Sequence, residues 1–337
     1  MLILPVEKVV NGDLLGRGIY SPDGRLMLKE GVALNEKLIE GIKRLGQKYI
    51  FVELTAHRAS ENSDLNKISH LMNLTEEILQ QIFQAVRQLN NIPVRPLLEW
   101  ADHVTEVFAN DSDLTMSTKD LSTDPAELIS HSLNVCFLSL ITAKTLGYNK
   151  KQLEEVAIGS LLHDIGLVLP HDGSLMMHHP IIGYDMLKKV KGIPDGALRI
   201  VLQHHEQIDG HGFPFGISYS NCNEAAQICG VASDFDYFMN DKTASRLPAE
   251  GIDMVMSKID TSCSYAVARA FIKTFQPYPV GTMVALTGGL TGRVTAINKA
   301  NPSRPVIVLD RCNTKVDLMA HTTFQIEKVL MYDSIGG

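Results

Sequence analysis

The spacing of apolar and polar positions gives the chain three textures in succession. Residues 1–60 mix short apolar segments with turn signals at Asn11-Gly12-Asp13 and Pro22-Asp23-Gly24. They predict a small mixed α/β unit with a helix from Asn35 to Leu45 and a strand at Tyr49-Ile50-Phe51-Val52. Residues 61–124 read as a helical connector. Polar residues around His57–Asp64 suggest a linker, helical spacing from Leu65 to Ala109 breaks at Pro93 and Pro96, and a polar stretch runs from Asp111 to Asp124. Asp124-Pro125-Ala126-Glu127 then offers an N-cap, a first-turn proline and a glutamate three residues after the cap. That helix is expected to reach Leu146, with Gly147 as its stop. Further helices are predicted over 151–163, 179–190, 195–206, 223–240 and 249–275, which makes 125–276 a helical domain. After Pro277 the pattern turns β-rich, with short segments Val280–Leu286, Thr291–Asn298, Pro305–Asp310 and Phe324–Leu330 separated by Gly, Asn and Pro. Residues 277–337 therefore predict a small β-barrel-like unit. The expected fold class is mainly α, a helical bundle with a small β-rich unit before it and another after it.

Composition narrows the function classes. The chain has 337 residues, a net charge of −7 and 45 % hydrophobic residues, which excludes a mostly disordered chain and disfavours a broad basic surface for DNA. No apolar run approaches the roughly 20 residues that span a bilayer, and Met1–Val6 lacks the basic start of a secretory signal. A cytoplasmic protein without a membrane partner is expected. The five cysteines are scattered, with no CxxC spacing, and read as reduced thiols.

Histidine changes the picture. Of twelve histidines, eight lie between His131 and His211. The helical region carries, in order, Glu127 and His131 four residues apart on one helix face, His163-Asp164, His178-His179-Pro180, His204-His205-Glu206 and Asp234. Imidazole and carboxylate together suit borderline divalent ions. The pair His163-Asp164 follows the apolar Leu161-Leu162, where unpaired polar groups would be costly to bury. A shared metal site removes that cost, with Asp164 as the bridge. Such ions can clamp a phosphodiester and generate hydroxide near neutral pH. No Ser or Cys nucleophile motif competes in the sequence.

These residues resemble the HD superfamily of metal phosphohydrolases, and within it the HD-GYP family. The match consists of His131-Ser132, then Leu162-His163-Asp164-Ile165-Gly166, then His179-Pro180-Ile181-Ile182-Gly183, and then the long signature from His204 to Pro214, with Asp234 as the late aspartate. The resemblance covers about residues 125–275. It implies an HD-type helical bundle that hydrolyses cyclic di-GMP, or a related cyclic dinucleotide, to the linear dinucleotide and GMP. It implies two or three divalent ions as cofactors, iron or manganese. The ligands it implies are His131, His163, Asp164, His179, His204, His205 and Asp234, with Glu127 for a third ion. His163 and Asp164 carry the catalytic role, and Asp209, Gly210, Gly212, Phe213 and Pro214 form the signature loop.

The chain departs from the family pattern at Leu167 in place of a lysine, Gln207 in place of an arginine and Phe213 in place of a tyrosine. The stretch from Pro170 to Met177 also lacks the Lys-Pro-Gly segment that helps hold the ligand. These departures motivate an alternative: a weak or inactive cyclic di-GMP receptor that keeps its metal site and docks a diguanylate cyclase or other signalling protein, with a homodimer as one expected assembly. A third reading is an HD hydrolase acting on another phosphorylated nucleotide.

Overall fold

The structure is a computed structural model that describes residues 2–6, 9–16, 18–20, 25–45, 49–52, 67–89, 92–110, 116–121, 127–169, 174–218, 221–241 and 243–331. The chain forms two compact units, residues 1–66 and 67–337. In the first, strand β1 (Leu2–Pro5) pairs antiparallel with β4 (Tyr49–Val52), Leu2 opposite Val52. A second antiparallel pair joins β2 (Ile19–Tyr20) and β3 (Leu26–Leu28). Helix α1 (Glu36–Arg44) is capped by Asn35, whose side chain accepts from the Leu38 amide at 3.0 Å. Its Ile39 and Ile42 meet Leu15, Leu34, Ile50 and Val52 in a separate small core.

The second unit is built on α4 (Glu127–Thr145), following α2 (Lys67–Leu89) and α3 (Val94–Asn110). Every residue of α4 from Ser130 to Ala143 is buried. A helix buried all round must be enclosed by others. Here α2, α5 (Lys150–Leu161), α8 (Glu224–Met239) and α10 (Tyr265–Thr274) enclose it. Between them run α6 (His179–Leu187), α7 (Asp195–Gln203) and α9 (Pro248–Ser257). The capping box expected at Asp124–Glu127 falls on residues outside those described, save that Glu127 is the first residue of α4. The linker expected at 57–64 also lies outside them.

Two predicted elements differ. The helix expected over 249–275 is two helices, because Asp260 takes φ 63° and Ser264 starts α10 by accepting from the Val267 amide at 3.3 Å. The polar stretch 111–124 contains β5 (Met116–Ser117), which pairs in parallel with β6 (Phe275–Gln276).

The last strands form one antiparallel sheet in the order β10 (Lys315–Asp317), β9 (Val306–Leu309), β8 (Leu290–Ala296), β7 (Met283–Leu286), β11 (Ile326–Met331). Gly288 and Gly289, both at positive φ, turn β7 into β8. One face buries Val284, Leu286, Val294, Ile307 and Val316. The chain is thus mainly α with small β units at its start and end. Among the described residues no helix is long and apolar enough to cross a membrane.

Candidate metal centre

Three of the histidines stand where helical turns run out. The last carbonyls of a helix have no partner within it. After α5 the chain bends, and the His163 ring returns its Nδ1 to the Ser160 carbonyl at 2.8 Å. After the single turn Ser174–Met177, His179 Nδ1 meets the Met176 carbonyl at 2.5 Å. After α7, His204 Nδ1 meets the Val201 carbonyl at 2.9 Å. Each carbonyl is three residues before its histidine, so one local geometry repeats. His131 comes from the interior of α4, and its Nδ1 lies 2.7 Å from Asp236 Oδ2 on α8. Asp236 is held in turn by Asn134 Nδ2 at 2.7 Å and Asn240 Nδ2 at 2.9 Å.

Carbonyl and carboxylate oxygens only accept, so each of these Nδ1 atoms carries the hydrogen. In its neutral form each ring then presents a bare Nε2. Those four nitrogens converge on one carboxylate. Asp164 Oδ1 is 3.0 Å from His179 Nε2 and 3.6 Å from His204 Nε2. Asp164 Oδ2 is 3.5 Å from His163 Nε2 and 3.7 Å from His131 Nε2. The nitrogens also face each other in pairs, His131 with His163 at 3.2 Å and His179 with His204 at 3.1 Å. Only a cation between them, or added protons, makes such an arrangement favourable. Burial works against the protons, pushing His163 down to about 3 and His205 down to about 2. Burial alone would raise the Asp164 carboxyl, but His163, His179 and His204 around it hold it well below the usual carboxylate range. The residues present fit divalent ions in two groups that share Asp164, one with His179, His204 and His205 and one with His131 and His163.

Close backbone approach fixes the groups. A Cβ on Gly166 would overlap the His179 carbonyl oxygen, so the turn after Asp164 can press on the start of α6 only with glycine there. In the signature loop, Gly212 lies so close to Gln207 N and Glu206 Cα that a Cβ would overlap both. Glu206 is buried and binds the loop from beneath, accepting from the Phe215 amide at 2.7 Å and the Ile217 amide at 3.0 Å. Asp209 accepts from the His211 amide at 2.9 Å, and Gly210 follows at φ 83°. Phe213 stacks on His205 with centroids 4.4 Å apart, and Pro214 follows it. Leu167 and Gln207 are both half-buried.

One expected ligand is elsewhere. Asp234 points away from the cluster and pairs with Lys258 Nζ at 3.0 Å. On a helix, positions 233 and 236 share a face and 234 lies about 100° round from 233. The face turned to the histidines carries Asp236, which braces His131 from outside, and Ser233, whose Oγ is 3.4 Å from His131 Nε2. The Glu127 side chain lies outside the described residues. Sequence reasoning missed Ser233, Asn134 and Tyr237, whose ring lies 4.2 Å from that of His131. Nothing in their residue types signals a site. Only the phase of α8, or contact with α4, reveals them.

A helical bundle enclosing a buried cluster of histidines around one aspartate has the donor set of a candidate metal centre. Residues 128–241 match the HD domain family. The chain is 25 % identical over 252 residues to a cyclic di-GMP phosphodiesterase of Pseudomonas aeruginosa, covering 70 % of this chain and 61 % of that protein. It is 24 % identical over 231 residues to the cyclic di-GMP phosphodiesterase PdeB of Borreliella burgdorferi, covering 61 % of each. The chain thus spans 61 % of the length of these two curated relatives. A solved HDG"Y"P protein from Bdellovibrio bacteriovorus is similar at 16 % identity with a TM-score of 0.49, over 80 % of this chain and 97 % of that one.

Proposed function

We propose that this protein is a metal-dependent phosphodiesterase acting on cyclic di-GMP or a related cyclic dinucleotide. The observation that carries the reading is the set of four Nε2 atoms converging on Asp164, with each ring's Nδ1 turned to an accepting oxygen. The relatives named as cyclic di-GMP phosphodiesterases support the substrate class. Asp164, His179, His204 and His205 would hold one ion, and His131, His163 and Asp164 a second; the donors suit borderline divalent ions, and the HD-GYP resemblance implies iron or manganese. Bound ions would supply charge neutralisation of the phosphodiester and a hydroxide nucleophile.

The chain's own residues do the positioning. The carbonyls of Ser160, Met176 and Val201 fix three imidazole tautomers, and Asp236 fixes the fourth. Glu206 holds the loop that carries Phe213 beside His205. Within the chain, residues 125–276 would act as the catalytic domain and the flanking units as regulatory or docking parts.

The test is anaerobic purification, loading with Fe(II) or Mn(II), and chromatography of the products from cyclic di-GMP and, in parallel, from other cyclic dinucleotides. Linear dinucleotide or GMP is expected, and none from His163→Ala. A fully metallated protein that yields neither product overturns the phosphodiesterase reading. Leu167 and Gln207 favour a second reading, a receptor that binds the dinucleotide through the same centre without turnover. Saturable binding without product would establish it.

A further inference from the structure

The two halves of the centre are unequal in donors. On one side Asp164 Oδ1 faces His179 and His204, with His205 completing a group of four. On the other, among the described residues, Asp164 Oδ2 faces His131 and His163 alone. Asp164 is the sole carboxylate in either group among the described residues. The helix that closes the second side, α8, places Ser233 at the site and uses its carboxylate, Asp236, on the far nitrogen of His131. Asp234 is turned to Lys258. A neutral hydroxyl is a poor donor to a dication beside two neutral imidazoles and half of a shared carboxylate.

Resting on the metal-centre reading above, we propose that Ser233 makes this an asymmetric centre: one ion is held firmly by Asp164, His179, His204 and His205, and a second binds only weakly between His131 and His163. Ser233 thereby sets the metal stoichiometry of the chain. The Ser233 hydroxyl is 3.4 Å from His131 Nε2, so a carboxylate, one bond longer, would reach the second position.

The experiment is an anaerobic titration of the chelator-stripped full chain with Mn(II) alone, read by calorimetry and by the electron paramagnetic resonance signal of free Mn(II). The wild-type chain should bind one ion tightly and a second at least roughly tenfold more weakly. Ser233→Asp should tighten the second ion by roughly tenfold or more and leave the first unchanged. Ser233→Ala should leave the first ion unchanged as well, and His205→Ala should weaken it. Circular dichroism checks the fold of each variant, and the wild-type titration decides the question even if Ser233→Asp fails to fold. Two ions of equal affinity in the wild-type chain overturn the asymmetry while leaving the phosphodiesterase reading in place. A folded Ser233→Asp chain with an unchanged second constant overturns the role of Ser233. A wild-type chain that binds no Mn(II) overturns both this inference and the metal centre beneath it.

Discussion

Asp236 and Asp234 lie two residues apart on α8, and the structure gives them opposite weights. Asp236 is 2 % exposed and accepts from His131 Nδ1, Asn134 Nδ2 and Asn240 Nδ2 at 2.7, 2.7 and 2.9 Å. Asp236→Ala takes the acceptor from two buried donors, those of His131 and Asn134, while Asn240 is near enough to water to compensate. A buried donor that loses its acceptor costs about 1–3 kcal/mol, so the variant should lose about 2–4 kcal/mol. In a protein of this size that lowers Tm by roughly 3–7 °C. Without its outer partner His131 is free to turn, and the ion it contacts should bind roughly 10–100-fold more weakly. Asp234 makes a half-buried pair with Lys258, worth within about 1 kcal/mol, so Asp234→Ala should keep the metal and nearly all of the Tm. Differential scanning calorimetry on metal-free protein and an anaerobic Mn(II) titration measure the two effects separately. If Asp234→Ala proves the more damaging of the pair, the assigned phase of α8 is wrong, and with it the placement of Ser233.

Two further outcomes follow from the packing. Gly166→Ala forces a methyl group onto the His179 carbonyl and within 3.0 Å of Gly183 N, so it should cost about 1–3 kcal/mol and lower retained metal; unchanged Tm and metal content would refute the close approach. Glu206→Ala removes two charge-assisted bonds to the loop amides of Phe215 and Ile217, a loss of about 3 kcal/mol or more, and should admit protease cleavage between residues 207 and 217, seen by mass spectrometry; a digestion pattern like the parent's would show that the loop holds without it.

Most of the helical plan was legible because its signals are local. The box at Asn149 and Gln152 starts α5, and Asn223 starts α8. What escaped depended on distant partners or on short polar segments. Strand β10 has one buried apolar residue, Val316, and exists because β9 lies beside it. The β5–β6 pair joins residues far apart in sequence over only two positions on each strand. The break before α10 contains neither glycine nor proline, since an aspartate, Asp260, takes up the positive φ.

The histidines could be found by residue type, but the helix face behind them could not. Helix α8 buries Ala226, Gln227, Ile228, Cys229, Val231, Ala232, Ser233, Phe235 and Asp236. A helix covered on most sides has no clean polar stripe, and its periodicity cannot tell which of two nearby aspartates looks inward. Contact with α4 decides it, by seating Asp236 between His131 and Asn134.

That choice bears on function through charge. A carboxylate at position 233 would add a negative donor and so hold a second dication; a serine does not. Leu167 and Gln207, also near the site in sequence, are uncharged as well. On the proposed reading, the positive charge available to a bound phosphodiester would be one firmly held ion plus whatever second ion the medium supplies. Ground-state binding of a dinucleotide would tolerate that shortfall better than catalysis. Transition-state stabilisation depends on charge preorganised at the reacting oxygens. On the proposed reading, turnover as against simple binding of a dinucleotide would depend on occupancy of the His131 side of the centre, and Ser233 would set that occupancy.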